Sequence, residues 1–140
     1  LKWPLRFLSL AQNVAEWSKD TTKVGAVART DAKAILETGY NGPPRGVHDH
    51  AERFIRPAKY LWIAHAEENL VAHAARKVLE GSTVTVTHMC CNACTRMLIN
   101  AGVKRVEVGP GVWSAPEDQI NAATTMFKEA GVELIYLSTD

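Results

Sequence analysis

The sequence predicts an α/β fold in which one five-stranded mixed sheet lies sandwiched between helices. Three observations carry that expectation. Helical and strand patterns follow one another in the order αββαβαβαβ. Helix-like segments separate the last three strand-like runs, a connection that joins parallel strands. Finally, 140 residues, 46% of them hydrophobic and 22% charged, suit a single domain that can bury a core without disulfide staples.

The first helix spans residues 6–17, where Phe7, Leu10, Ala11 and Val14 recur at helical spacing on one face. The polar run Ser18-Lys19-Asp20-Thr21-Thr22 ends it. Residues 23–28 read as a strand, and Thr30-Asp31-Ala32-Lys33 as the turn into a second strand over 34–38. From Gly39 to about Leu61 no clean period holds. Gly39, Gly42, Pro43, Pro44, Gly46 and Pro57 punctuate this stretch, so it reads as mostly loop with a short helix near residues 52–55. Loops so long inside a compact domain tend to be functional.

Residues 64–79, rich in alanine, leucine and glutamate, predict a strong helix stopped by Gly81. Thr83-Val84-Thr85-Val86-Thr87 is β-branched throughout and predicts a strand. A helix over 91–101 closes at Gly102, and a strand over 103–108 runs into a Gly-Pro-Gly loop. The chain then forms a helix over 116–130, with Gly131 past its end, and a last strand over 132–137.

Sixteen Lys and Arg against fifteen Asp and Glu leave a net charge of +1, which supplies no field for non-specific nucleic-acid binding. No apolar run approaches the roughly 20 residues that span a bilayer. The opening Leu1-Lys2-Trp3-Pro4-Leu5-Arg6 is broken by charge and proline and does not read as a signal peptide. The three cysteines, Cys90, Cys91 and Cys94, form a poor disulfide framework. They make a good metal-ligand pattern for a reducing compartment, which places the chain in the cytoplasm.

Two short motifs carry chemistry. In Cys91-Asn92-Ala93-Cys94 the cysteines are three apart at a helix start, on one face and close enough to grip one ion. The partial positive charge of the helix N-terminus favours their thiolates. His65, in His65-Ala66-Glu67, stands at the tip of another helix and can supply a third ligand. Three ligands leave a tetrahedral zinc one position for water, the arrangement of a catalytic rather than a structural site. In a regular helix Glu67 would point away from His65, but at a first turn it can reach the space beside the metal and shuttle protons. A lone Cys-x-x-Cys also fits a redox pair or half of a structural zinc site. Three cysteines cannot build a four-cysteine site, however, and the two motifs together match the signature of zinc deaminases.

At these residues the sequence resembles the cytidine and deoxycytidylate deaminase superfamily, most closely its deoxycytidylate (dCMP) branch. The likeness runs through 15–20 (Ala-Glu-Trp-Ser-Lys-Asp), 23–27 (Lys-Val-Gly-Ala-Val) and 39–47 (Gly-Tyr-Asn-Gly-Pro-Pro-Arg-Gly-Val). It continues through Glu52-Arg53, Lys59-Tyr60, His65-Ala66-Glu67-Glu68-Asn69, the cysteine pair and 99–103 (Ile-Asn-Ala-Gly-Val). The resemblance implies a cytidine-deaminase-like three-layer α/β/α sandwich, with residues 1–140 forming one zinc-dependent deaminase domain. It implies one catalytic Zn²⁺ held by His65, Cys91 and Cys94, and Glu67 as the proton shuttle. Asn41 would hydrogen-bond the sugar, and a backbone carbonyl near Met89 would accept the departing amine.

For the substrate phosphate, Lys19, Arg45 and Ser18 are the expected contacts, with Lys23 a weaker one. His48 and His50 read as loop histidines, and Tyr60, Trp62 and Trp113 as packing aromatics. The sequence departs from the family at Cys90, where proline is usual, and at Leu70, where alanine is common. Cys90 reads as a small buried residue, because a register shifted to it would pair with Ala93. The reaction expected is hydrolysis of dCMP to dUMP and ammonia. The alternatives are another cytosine nucleoside or nucleotide, a modified cytosine, or a catalytically silent zinc-binding interaction module. The partners expected are a small nucleotide and further copies of the chain, with no membrane and no nucleic acid.

Overall fold

The computed structural model describes residues 2–113 and 115–138. Leu1, where the chain opens, lies outside them. Helix α1 covers Trp3–Ala15, three residues earlier than its period predicts, because Pro4 fits the first helical turn where no backbone donor is needed. Strands β1 (Gly25–Arg29) and β2 (Ile35–Tyr40) form the expected hairpin, and Lys33 at its turn takes φ +68°. Then come a 3₁₀ turn at Ala51–Phe54, α2 (Lys59–Trp62), α3 (Ala66–His73) and β3 (Thr83–His88). Helix α4 (Asn92–Asn100), β4 (Arg105–Gly111), α5 (Glu117–Glu129) and β5 (Glu133–Tyr136) complete the chain.

The sheet order is β2-β1-β3-β4-β5. Strand β1 is antiparallel to both neighbours, while β3, β4 and β5 are parallel, as their helical connections require. The two-residue period of β1 splits the core. Ala26 and Ala28 join Val84, Val86, Val106, Val108, Leu70, Leu98 and Phe127 in one cluster, whereas Val27 packs with Phe7, Ala11 and Val14 of α1. Helices therefore cover both faces, which gives the expected three layers. Gly25 permits the approach of α1, since a Cβ there would lie 2.1 Å from the Ala11 carbonyl oxygen.

Three local readings are corrected. The helix expected over 64–79 ends at His73, because Ala74 turns extended (ψ 145°) and Lys77 takes φ +64°. This exit brings Leu79 into the core, so packing overrides helix propensity. Helix α2 forms inside the stretch read as loop. Strand β4 continues through the Gly-Pro-Gly run, where a Cβ at Gly111 would sit 2.5 Å from the Thr87 carbonyl oxygen.

On the α1 side of the sheet Glu107 is completely buried. It meets the Arg29 guanidinium at 2.8 Å, the Thr85 hydroxyl at 3.0 Å and Arg105 at 3.0 Å. Burial alone would raise its pKa, but the hydrogen bond and charge of Arg29 hold it below the ordinary 4.5. The stabilisation is therefore full above that value and is lost as pH falls through the lowered one. Glu107→Ala strands Arg29, and urea denaturation at pH 7 should show a loss of about 3–5 kcal/mol.

Candidate active site

Two helix tips meet beside the end of β3. His65 caps α3 in extended conformation, its backbone N–H donating to Glu68 Oε1 at 3.1 Å. The chain before it is clamped to the loop after β2, since Gly42 and Ala64 exchange backbone hydrogen bonds of 3.1 and 2.9 Å. Cys91 caps α4, and its sulfur accepts from the Cys94 N–H at 3.4 Å. His65 Nδ1 lies 3.3 Å from both the Cys91 and Cys94 sulfurs, and the three donor atoms fall within 4.8 Å of one another.

The electrostatics of this trio favour a cation. The Cys94 thiol, donating to Cys91, and the His65 ring hold Cys91 down at about 4 despite its partial burial. The bond to Cys91 lifts His65 to about 9. Cys94 is pushed far up by the Cys91 sulfur beside it and by burial. An anionic sulfur thus already draws protons inward, and a divalent ion can replace them.

Glu67, one residue into α3, is buried, and desolvation raises its pKa. Its Oε1 is buried without a hydrogen-bond partner. An orphaned carboxylate oxygen is costly unless a bound group uses it. Imidazole and thiolates form a zinc donor set, three of them leave a fourth position free, and Glu67 is not needed to fill it. The residues fit one zinc ion.

A cavity of about 650 Å³ opens here, within the range of small-molecule sites. His65, Glu67 and Cys91 line it together with Arg56, Lys59, Tyr60, Met89 and Trp113. Asn41 borders it as well. Asn41 Oδ1 accepts from the Val24 N–H at 2.9 Å and its Nδ2 donates to the Thr22 carbonyl at 2.8 Å. The other expected substrate contacts lie elsewhere. Ser18 is buried and donates its hydroxyl to the Asn41 carbonyl at 2.7 Å. Lys19 and Arg45 line an adjoining cavity of about 860 Å³ that shares Asn41, and Lys19 pairs there with Asp49. Lys23 pairs with Glu16 at 3.5 Å on the surface.

Sequence reasoning passed over Arg56, gave Lys59 and Asp20 no role in the site and read Tyr60 as packing, yet all four line this cavity. The Lys59 ammonium contacts Asp20 Oδ2 at 3.0 Å and Oδ1 at 3.1 Å, and Arg56 Nε donates to the Tyr60 hydroxyl at 2.9 Å. Two cations and a tyrosine within five residues of a long loop were the available signal. Trp113 is more than packing, because its indole N–H donates to the Met89 carbonyl at 2.8 Å.

The layers locate the trio at helix tips, beside a cavity that His65, Cys91 and the buried carboxylate of Glu67 line. That combination is the working arrangement of a zinc-dependent hydrolytic deaminase. Residues 1–110 match the cytidine and deoxycytidylate deaminase zinc-binding region, and the chain belongs to that family. It is 41% identical over 143 residues to the uncharacterized deaminase in luxG 3'region of Aliivibrio fischeri, covering 99% of this chain and 96% of that one. It is 32% identical to the deoxycytidylate deaminase of Homo sapiens, over 94% of this chain and 78% of the human one. The crystal structure of dCMP deaminase from the cyanophage S-TIM5 in complex with dCMP and dUMP superposes with TM-score 0.72 at 25% identity. That alignment covers 98% of this chain and 99% of the phage chain. Among the described residues no helix is long and apolar enough to cross a membrane.

Proposed function

We propose that the chain hydrolyses dCMP to dUMP and ammonia. The observation that carries this reading is the buried, unpartnered Glu67 Oε1 beside the His65–Cys91–Cys94 trio, in a cavity large enough for a nucleotide. The relatives named as deoxycytidylate deaminases support the choice of substrate.

His65, Cys91 and Cys94 would hold the ion, which when bound supplies a Lewis acid that makes water nucleophilic at neutral pH. Glu67 takes a proton from the attacking water at Oε1 and delivers it to ring nitrogen N3. It then carries a second proton to the leaving amine, so water and cytosine become uracil and ammonia. The Met89 carbonyl has a second lone pair beyond the one engaged by Trp113, and that pair accepts the departing amine. Asn41 is held by two backbone partners, yet one Nδ2 hydrogen and one Oδ1 lone pair remain for the sugar. Ser18 contributes by fixing the Asn41 carbonyl.

Further copies of the chain would cover exposed apolar side chains such as Leu61, 84% exposed, and Val112, 86% exposed at the cavity. Three free thiols accord with the cytoplasm.

A panel of dCMP, deoxycytidine, CMP and cytidine tests the substrate assignment with zinc-replete protein. The highest kcat/KM is expected for dCMP. Equal turnover of nucleoside and monophosphate removes the assignment.

A further inference from the structure

We propose that Arg56, oriented by Tyr60, receives the 5′-phosphate of the substrate nucleotide, an assignment that rests on the nucleotide reading above. The charges on the wall of the active-site cavity differ in how free they are to meet a ligand. Besides the histidines, two cations line this cavity among the described residues, Arg56 and Lys59. They are not equivalent.

Lys59 is already committed. Its side chain is only 11% exposed, and the Asp20 carboxylate it contacts through both oxygens is completely buried. Asp20 is anchored further by the Thr22 N–H at 3.0 Å. Pulling Lys59 toward a ligand would strand a buried carboxylate, so this neutral pair ties α2 to the segment before β1 and contributes no free charge.

Arg56 has no carboxylate partner among the described residues. Its one hydrogen bond there, from Nε to the Tyr60 hydroxyl at 2.9 Å, holds the guanidinium plane and leaves both terminal nitrogens available. Tyr60 accepts that bond through oxygen and keeps its own O–H to donate. Together they offer a planar fork plus a hydroxyl, the geometry that suits a phosphate. Tyr60 is 67% exposed and lines the cavity, which places the pair at the rim. A phosphate dianion bound there keeps part of its hydration and avoids the desolvation cost of a buried site. A base presented to Glu67 then has its charged end at the opening. The cations first expected in this role, Lys19 and Arg45, line the other cavity.

Two paired measurements test the proposal on the zinc-replete protein. One is kcat/KM for dCMP against deoxycytidine. The other is the calorimetric Kd of dUMP against deoxyuridine, which reads binding without turnover. In Arg56→Gln the preference for the phosphorylated partner should fall roughly 10- to 100-fold in both, the catalytic loss appearing in KM rather than kcat. Arg56→Lys should recover only part, since a point charge lacks the fork, and Tyr60→Phe should lose less than Arg56→Gln. If the unaltered enzyme shows no preference for the monophosphate, the nucleotide reading fails and this inference with it. If that preference exists and Arg56→Gln retains it, or Arg45→Ala abolishes it instead, the Arg56 assignment alone is overturned.

Discussion

Glu67→Gln should keep zinc and lose turnover by roughly 10²- to 10⁴-fold, the range supplied by a positioned acid–base group. The replacement has nearly the same shape, so the trio and the cavity wall are preserved. What disappears is a group that can bind and release a proton. The carboxylate is buried, its pKa is raised by desolvation, and its Oε1 has no hydrogen-bond partner. A structural role would leave a different picture, with both carboxylate oxygens satisfied by protein. Because a charged group without its full set of partners is costly to bury, the amide should also unfold at an equal or higher temperature than the acid. Metal analysis, kcat for dCMP and a thermal melt read the three expectations. A near-normal rate would remove Glu67 from the chemistry.

Cys91→Ala should lose both the ion and much of the stability, while Cys90→Ala keeps the ion. Cys91 holds three positions at once. It caps α4, its sulfur accepts from the Cys94 N–H, and it lies 3.3 Å from His65 Nδ1. Cys90 instead belongs to the apolar core cluster, and burial pushes its thiol well above the ordinary value. A ligand that binds only the folded state at a thousand times its Kd stabilises by about 4 kcal/mol. A strong chelator should therefore lower the melting temperature of the unaltered protein and leave that of Cys91→Ala unmoved. Removing the Cys90 sulfur costs about 1 kcal/mol of packing. Loss of zinc in Cys90→Ala would show that the ligand register is shifted by one residue.

Much of the architecture was legible in short windows. The threonine–valine alternation at Thr83–His88 marks a strand whatever surrounds it, and the helices joining β3, β4 and β5 require parallel pairing. Where propensity and packing disagreed, packing won. Residues 74–79 have a helical composition, yet the chain leaves α3 at His73 so that Leu79 can enter the core. The Gly-Pro-Gly run resembles a loop, yet β4 uses its lack of side chains to lie against Thr87. Helix α2 has one turn, too short to display a period.

What the sequence alone determined was the class of chemistry and the layered fold around it. The spacing Cys-x-x-Cys, one imidazole at a helix start and a glutamate two residues later are local patterns, and local geometry brings each motif to a helix tip. Only the tertiary structure decided which charges line which cavity. Lys59 and Asp20 are 39 residues apart and meet across the cavity wall, whereas Lys19, beside Asp20 in sequence, turns to Asp49 and the other cavity. An ion pair depends on distance in space, and composition or periodicity cannot specify that distance for residues on different loops.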